Sequence, residues 1–168
     1  MCIRDSGNTA PPLTLRVNKR KTTVEGYLAD LEAAGHPATA IGPYAIRLDN
    51  PLPVYRIPGF SEGLVSVQDA AAQLAAPLLE LQDGMRVLDA CAAPGGKSGH
   101  MLEMADIDLH ALDSEPERLK KIDENLTRLQ LHATIMAGDA SKKNWWDGNA
   151  FDCILACLLY TSPSPRDT

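Results

Sequence analysis

The stretch "VLDACAAPGGKSGH", residues 87–100, holds the densest chemistry of this 168-residue chain. An apolar run ends in Asp89, small residues and Pro94-Gly95-Gly96 make a tight turn, and Lys97 opens a helix. Glycines let backbone approach a ligand closely, and a helix N-terminus favours an anion or carboxylate. Two further acids close strand-like runs, Asp113 in "LHALDSEPERL" and Asp139 in "MAGDA". Either acid alone could be a helix cap or a surface carboxylate. Three acids at three successive strand ends favour a ligand site. Three ligands compete for it. A nicotinamide fingerprint needs G-x-G-x-x-G, which is absent. A P-loop needs a leading glycine where Cys91 stands, although Gly96-Lys97-Ser98 fits its end. S-adenosylmethionine would lay its methionine part against the turn, its ribose hydroxyls on Asp113 and its adenine amino group near Asp139, as in dinucleotide sites.

The elements that must position these groups follow from periodicity. "MRVLDAC", "IDLHALD", "HATIMAGD" and "FDCILA" read as strands, with helices in "GGKSGHMLEMA" and "EPERLKKIDENLTRLQ". Pro116 is tolerated in the first turn of the second helix. Strand–helix alternation of this kind predicts a parallel, doubly wound α/β sheet. Before it, "LTLRVN" alternates like a half-buried strand, and "TTVEGYLADLEAAG" reads as a helix with Thr22 and Glu25 at capping-box spacing and Gly35 at its end. "YAIRL" and "PVYRI" read as short strands separated by proline and glycine turns. "LVSVQDAAAQLAAPLLEL" predicts a strand followed by an alanine-rich helix that Pro77 kinks or ends.

Composition narrows the class. The chain is 45% hydrophobic and 23% charged, a globular balance, with no apolar run of the roughly 20 residues a membrane span needs. Four irregularly spaced cysteines and no apolar leader point to a reducing cytoplasm, and no Cys/His cluster suggests a metal. A net charge of −6 argues against binding nucleic acid through bulk charge. Arg16, Lys19, Arg20 and Lys21 nevertheless form a local basic knot.

"LDACAAPGGKSGHMLEM", "PGFSEGLVSVQDAAAQLAAPLL" and "FDCILA" resemble the bacterial ribosomal RNA cytosine-5 methyltransferases of the RsmB (Sun/Fmu) family, over roughly residues 10–156. The resemblance implies a Rossmann-like class I S-adenosylmethionine methyltransferase sheet preceded by a small α+β RNA-contacting module. It implies that Cys91, Ala92, Ala93, Pro94, Gly95, Gly96, Lys97, Asp113 and Asp139 bind S-adenosylmethionine. It makes small-subunit ribosomal RNA the partner, and adds the basic knot to an RNA surface. The family also carries an Asp-x-Pro-Cys sequence after the fourth strand and a later Thr-Cys nucleophile. Neither is present here, and Cys91 and Cys153 read as structural, so no catalytic residue is assigned.

The two ends add a separate expectation. One coding of Met1–Ser6, reverse-complemented and shifted in frame, reads Cys-Leu-Leu-Tyr-Thr and the start of Ser, which is Cys157 to Ser162. The shared string resembles a sequencing-library adapter. The predicted organisation is therefore 1–6 adapter-like, 7–60 the small module, 61–156 the methyltransferase part truncated after its fourth strand, and 157–168 adapter-like. The function this implies is that of a fragment, with a non-catalytic RNA-binding piece and a P-loop hydrolase as alternatives.

Overall fold

The computed structural model describes residues 13–157, so most of the two adapter-like ends lies outside the described residues. The chain divides into two compact units between Ala75 and Ala76. The expected 60/61 boundary falls inside the first unit, because residues 65–67 pair with the first strand.

In the first unit, β1 (Leu13–Val17), β2 (Ala38–Ala40), β3 (Ala45–Leu48) and β4 (Val65–Val67) form an antiparallel sheet in the order β2-β3-β1-β4. Helix α1 (Val24–Ala33) buries Val24, Tyr27 and Leu31 against Leu15, Ile46 and Val65. Its cap is Thr23, one residue beyond the Thr22 read from sequence, and its side chain accepts the Gly26 N–H at 3.0 Å. "PVYRI" forms a single 3-10 turn, Val54–Arg56, in place of the predicted strand. Pro51 and Pro53 have no N–H to give a ladder, and the Arg56 N–H donates instead to the Pro53 carbonyl. The predicted alanine-rich helix is likewise two 3-10 turns, Ala72–Leu74 and Pro77–Leu79. Pro77 interrupts the donors and Glu80 closes the second turn at φ 49°.

The second unit is the expected parallel sheet. β5 (Arg86–Asp89), β6 (Asp108–Asp113), β7 (Thr134–Ala137) and β8 (Cys153–Leu155) lie in the order β7-β6-β5-β8, all parallel. Helices α2 (Gly96–Met104) and α3 (Pro116–Leu129) make the crossovers from β5 to β6 and from β6 to β7. Met101, Leu102, Ile122 and Leu126 from these helices pack with Val87, Leu109 and Ala111 of the strands. Each such aliphatic side chain contributes about 1.5–3 kcal/mol by leaving water. Successive strands step outward from β5 to β7, then β8 returns to the other side of β5. That reversal is a topological switch point, and it places the ligand crevice at the C-terminal end of β5.

Candidate cofactor site

Asp89 ends β5 and is almost wholly buried. The Ser98 hydroxyl donates to its Oδ2 at 2.7 Å, while Oδ1 makes no hydrogen bond. Burial pushes its carboxyl above the ordinary range. The Ser98 bond, the Cys91 amide and the Lys97 charge work against that rise, and the Asp113 charge adds to it. A buried carboxylate oxygen without a donor is costly, and a ligand ammonium or hydroxyl would satisfy it.

The following turn is braced on both sides. Ala92 N–H donates to the Leu112 carbonyl and Gly95 N–H to the Ala92 carbonyl, at 3.0 and 2.6 Å. The Ala93–Pro94 peptide is cis. Gly95 sits at φ 96°, and a Cβ there would stand 3.2 Å from the Ile122 Cα of α3, so both conformation and space require glycine. Gly96 and Lys97 open α2. The Lys97 ammonium donates to the Cys157 Sγ at 3.2 Å.

Asp113, at the end of β6, is buried and holds the turn. Its Oδ2 accepts the Ala93 N–H at 3.0 Å and its Oδ1 accepts the Glu115 N–H at 3.2 Å. Arg118 completes a triangle, with Nη1 at 3.6 Å from Asp113 Oδ1 and Nη2 donating to the Ala93 carbonyl at 2.9 Å. Asp113, the turn and Asp89 therefore form one cluster. Asp139 stands apart from that cluster in its hydrogen bonds: it is exposed, and its Oδ1 accepts the Ser141 N–H and hydroxyl at 2.9 and 2.7 Å. Those bonds hold its carboxyl below the usual range. The adjacent Gly138 N–H donates to the Asp113 carbonyl at 3.0 Å, which ties the two strand ends together.

From sequence, Ser98 was read only as the end of a P-loop-like Gly96-Lys97-Ser98, and Arg118 was not singled out. Each meets its acid only once α2 and α3 lie along the sheet. Cys91 is half-buried, and burial, then the charges of Asp113, Asp89 and Cys157, push its thiol up. A thiol held protonated is a weak nucleophile. The Cys153 thiol faces the Leu79 carbonyl at 3.7 Å. Among the described residues no cluster of three or more His, Cys, Asp or Glu could hold a metal, and no helix is long and apolar enough to cross a membrane.

A parallel sheet reversing at β5, a glycine turn after it and an acid closing β6 define a Rossmann-like domain of the methyltransferase type. A methyltransferase homologue from Pyrococcus horikoshii has a solved structure similar to this chain, with a TM-score of 0.71 and 26% identity over 79% of this chain and 45% of that one. The 16S rRNA methyltransferase RsmB/F family model matches residues 76–158, and the RsmF/B-like ferredoxin-like domain matches residues 2–55, so the chain belongs to the RsmB/F methyltransferase family. Ribosomal RNA small subunit methyltransferase B of Pseudomonas syringae pv. tomato is 48% identical over 155 residues, 89% of this chain and 35% of that protein. The Vibrio cholerae protein of the same name is 46% identical over 157 residues, 91% of this chain and 36% of its own length. The chain thus spans about a third of the length of the curated relatives it matches.

Proposed function

We propose that the second unit is the cofactor-binding part of an S-adenosylmethionine-dependent methyltransferase acting in the cytoplasm on carbon 5 of a cytosine in small-subunit ribosomal RNA. The observation that carries the reading is the buried, unpaired Asp89 Oδ1 beside the Gly95 turn at the switch point. When bound, the cofactor supplies an electrophilic methyl group on a sulfonium. Cys91 to Gly96 provide a backbone surface on which its methionine part can rest. Asp89 Oδ1 accepts from a ligand donor, and Lys97 sits at the start of α2. Asp113 is the acid for ribose hydroxyls and Asp139 the acid for an adenine amino group.

Cytosine carbon 5 becomes reactive only after a thiolate adds at carbon 6, and the base must first leave its stack. None of the four cysteines follows a Pro or a Thr, and Cys91 is held as a thiol. We therefore propose that this chain by itself binds cofactor without turning over. Calorimetry of the 168-residue chain with S-adenosylmethionine and with ATP tests the reading. Binding of S-adenosylmethionine, weakened at least tenfold in Asp89→Ala, is expected; ATP binding with no S-adenosylmethionine signal overturns it. Methyl transfer to ribosomal RNA that vanishes in Cys91→Ser would overturn the proposed lack of turnover.

A further inference from the structure

The turn between β5 and α2 is held in its middle and at its ends by different groups. In the middle, the Leu112 carbonyl accepts the Ala92 N–H, Asp113 accepts the Ala93 N–H and Arg118 donates to the Ala93 carbonyl. The ends are joined by Ser98, whose hydroxyl donates to Asp89 Oδ2 at 2.7 Å across nine residues of chain. Asp89 ends the strand that enters the turn, and Ser98 stands in the first turn of the helix that leaves it. Both are shut away from water, Asp89 at 1% exposure and Ser98 at 0%, so solvent cannot stand in for a lost hydroxyl. The same kind of bond joins Ser141 to Asp139, but those residues are exposed and water can replace it. One donor at Oδ2 fixes the plane of the Asp89 carboxylate and leaves one oxygen over, the unpartnered Oδ1.

We infer that Ser98 is a positioning residue for the cofactor: it holds the Asp89 carboxylate in the plane from which Oδ1 meets the ammonium of the ligand's amino-acid part. The inference rests on the S-adenosylmethionine reading above and names the ligand group that Asp89 serves. In that reading the ribose hydroxyls go to Asp113 and the adenine amino group to Asp139, which leaves the ammonium for the acid at the base of the turn. An ionised donor suits a carboxylate without water around it, because a charge-assisted hydrogen bond is about twice as strong as a neutral one. Ser98 also acts on the charge of its partner. Burial pushes the Asp89 carboxyl up, and the Ser98 bond brings it down, ahead of the Cys91 amide and the Lys97 ammonium; the Asp113 charge pushes it up again. Without the hydroxyl, Asp89 keeps its proton to higher pH, and a protonated carboxyl offers no charge to an ammonium. Ser98 touches no ligand and acts only through Asp89.

Calorimetry on the full chain compares S-adenosylmethionine with 5′-methylthioadenosine, which keeps ribose and adenine but lacks the amino-acid part. Ser98→Ala should weaken the first about tenfold, the size of one hydrogen bond to a charged group, and the second less than about twofold. Titrations between about pH 4 and 8 should show affinity for S-adenosylmethionine falling as Asp89 takes up its proton, with the midpoint at higher pH in Ser98→Ala than in the parent. Lys97, Asp113 and Cys91 face Asp89 in both proteins, so their own titrations are common to the two profiles. Ser98→Thr keeps the hydroxyl and should restore affinity and midpoint together; where its extra methyl lowers the melting temperature, the Ser98→Ala profile decides. If the parent binds the analogue too weakly to measure, the midpoint decides. A serine that merely supports the fold would weaken both ligands alike and leave the midpoint in place. Equal losses for the two ligands, an unmoved midpoint, or no loss in Ser98→Ala would each overturn the inference. A parent that binds S-adenosylmethionine beside an indifferent Ser98→Ala rejects the role of Ser98 alone, whereas a parent that binds neither ligand rejects the methyltransferase reading with it.

Discussion

At the scale of single residues, Asp89 decides most. Its carboxyl titrates above the ordinary range because burial penalises the charge. A raised acid favours the folded state fully below the ordinary carboxylate value, and that advantage is lost as pH rises through the raised one. Once ionised, above that raised value, the group weighs against folding, a cost that a ligand donor on Oδ1 would offset. Asp89→Asn keeps an oxygen for the Ser98 hydroxyl and removes the charge. It should raise the melting temperature at pH 7 by a few degrees, lose that gain near pH 3 and weaken cofactor binding. Melting curves across pH check this, and a variant less stable than the parent at pH 7 would refute it. Asp89, the Gly95 turn and Asp113 were legible because strand, turn and helix follow one another locally. The Arg118 brace and the direction of the Lys97 amine were not, since their partners lie 25 and 60 residues away. Arg16 misled for the same reason: its partners Ser66 and Gln68 lie 50 and 52 residues away.

Among the elements, α1 shows how a helix read correctly from sequence is fixed by a contact that sequence conceals. Val24, Leu28 and Leu31 stand at helical spacing in the sequence and mark one apolar face. The structure buries Tyr27 on that face, and its hydroxyl donates to the Pro58 carbonyl at 2.7 Å. Burial first, and the Asp30 charge second, raise the phenol to about 12. Stability from that shift is complete below the ordinary value of about 10 and lost as pH climbs through about 12. Tyr27→Phe leaves the carbonyl without its donor and should cost about 1 kcal/mol in urea unfolding, while flattening the alkaline decline. A variant with the same alkaline decline as the parent would locate that decline elsewhere. The misread strand at residues 53–57 and the misread helix after Val67 share a cause. In both, apolar content outweighed prolines that remove the backbone donors a longer element would need.

Across the whole molecule, each unit has its own core, and the parallel sheet is asymmetric. One face carries α2 and α3; the other presents Leu88, Ala90 and Leu112, packed by Met136, Trp145 and Phe151, with Ile154 57% exposed. The strand–helix alternation that makes the parallel sheet was visible in sequence. The fastening of residues 138–152 over the second face was not, because it depends on Arg86 at the start of β5. Arg86 donates to Asp147 through two bonds of 3.1 and 2.7 Å and to the Asn149 carbonyl at 2.8 Å, and its guanidinium lies 4.6 Å from the Phe151 ring centre. The Arg86 bonds, followed by the Asn149 amide, hold the Asp147 carboxyl at about 2. The contribution of this fastening is complete above the ordinary carboxylate range and disappears as pH falls through about 2. Arg86→Gln should move the Asp147 midpoint back toward the ordinary value in a carboxyl NMR titration. It should also speed amide exchange across residues 139–151 and shift tryptophan emission to the red. If the midpoint stays near 2 in that variant, the Asn149 amide alone sets it, and Arg86 is no fastening for the second face.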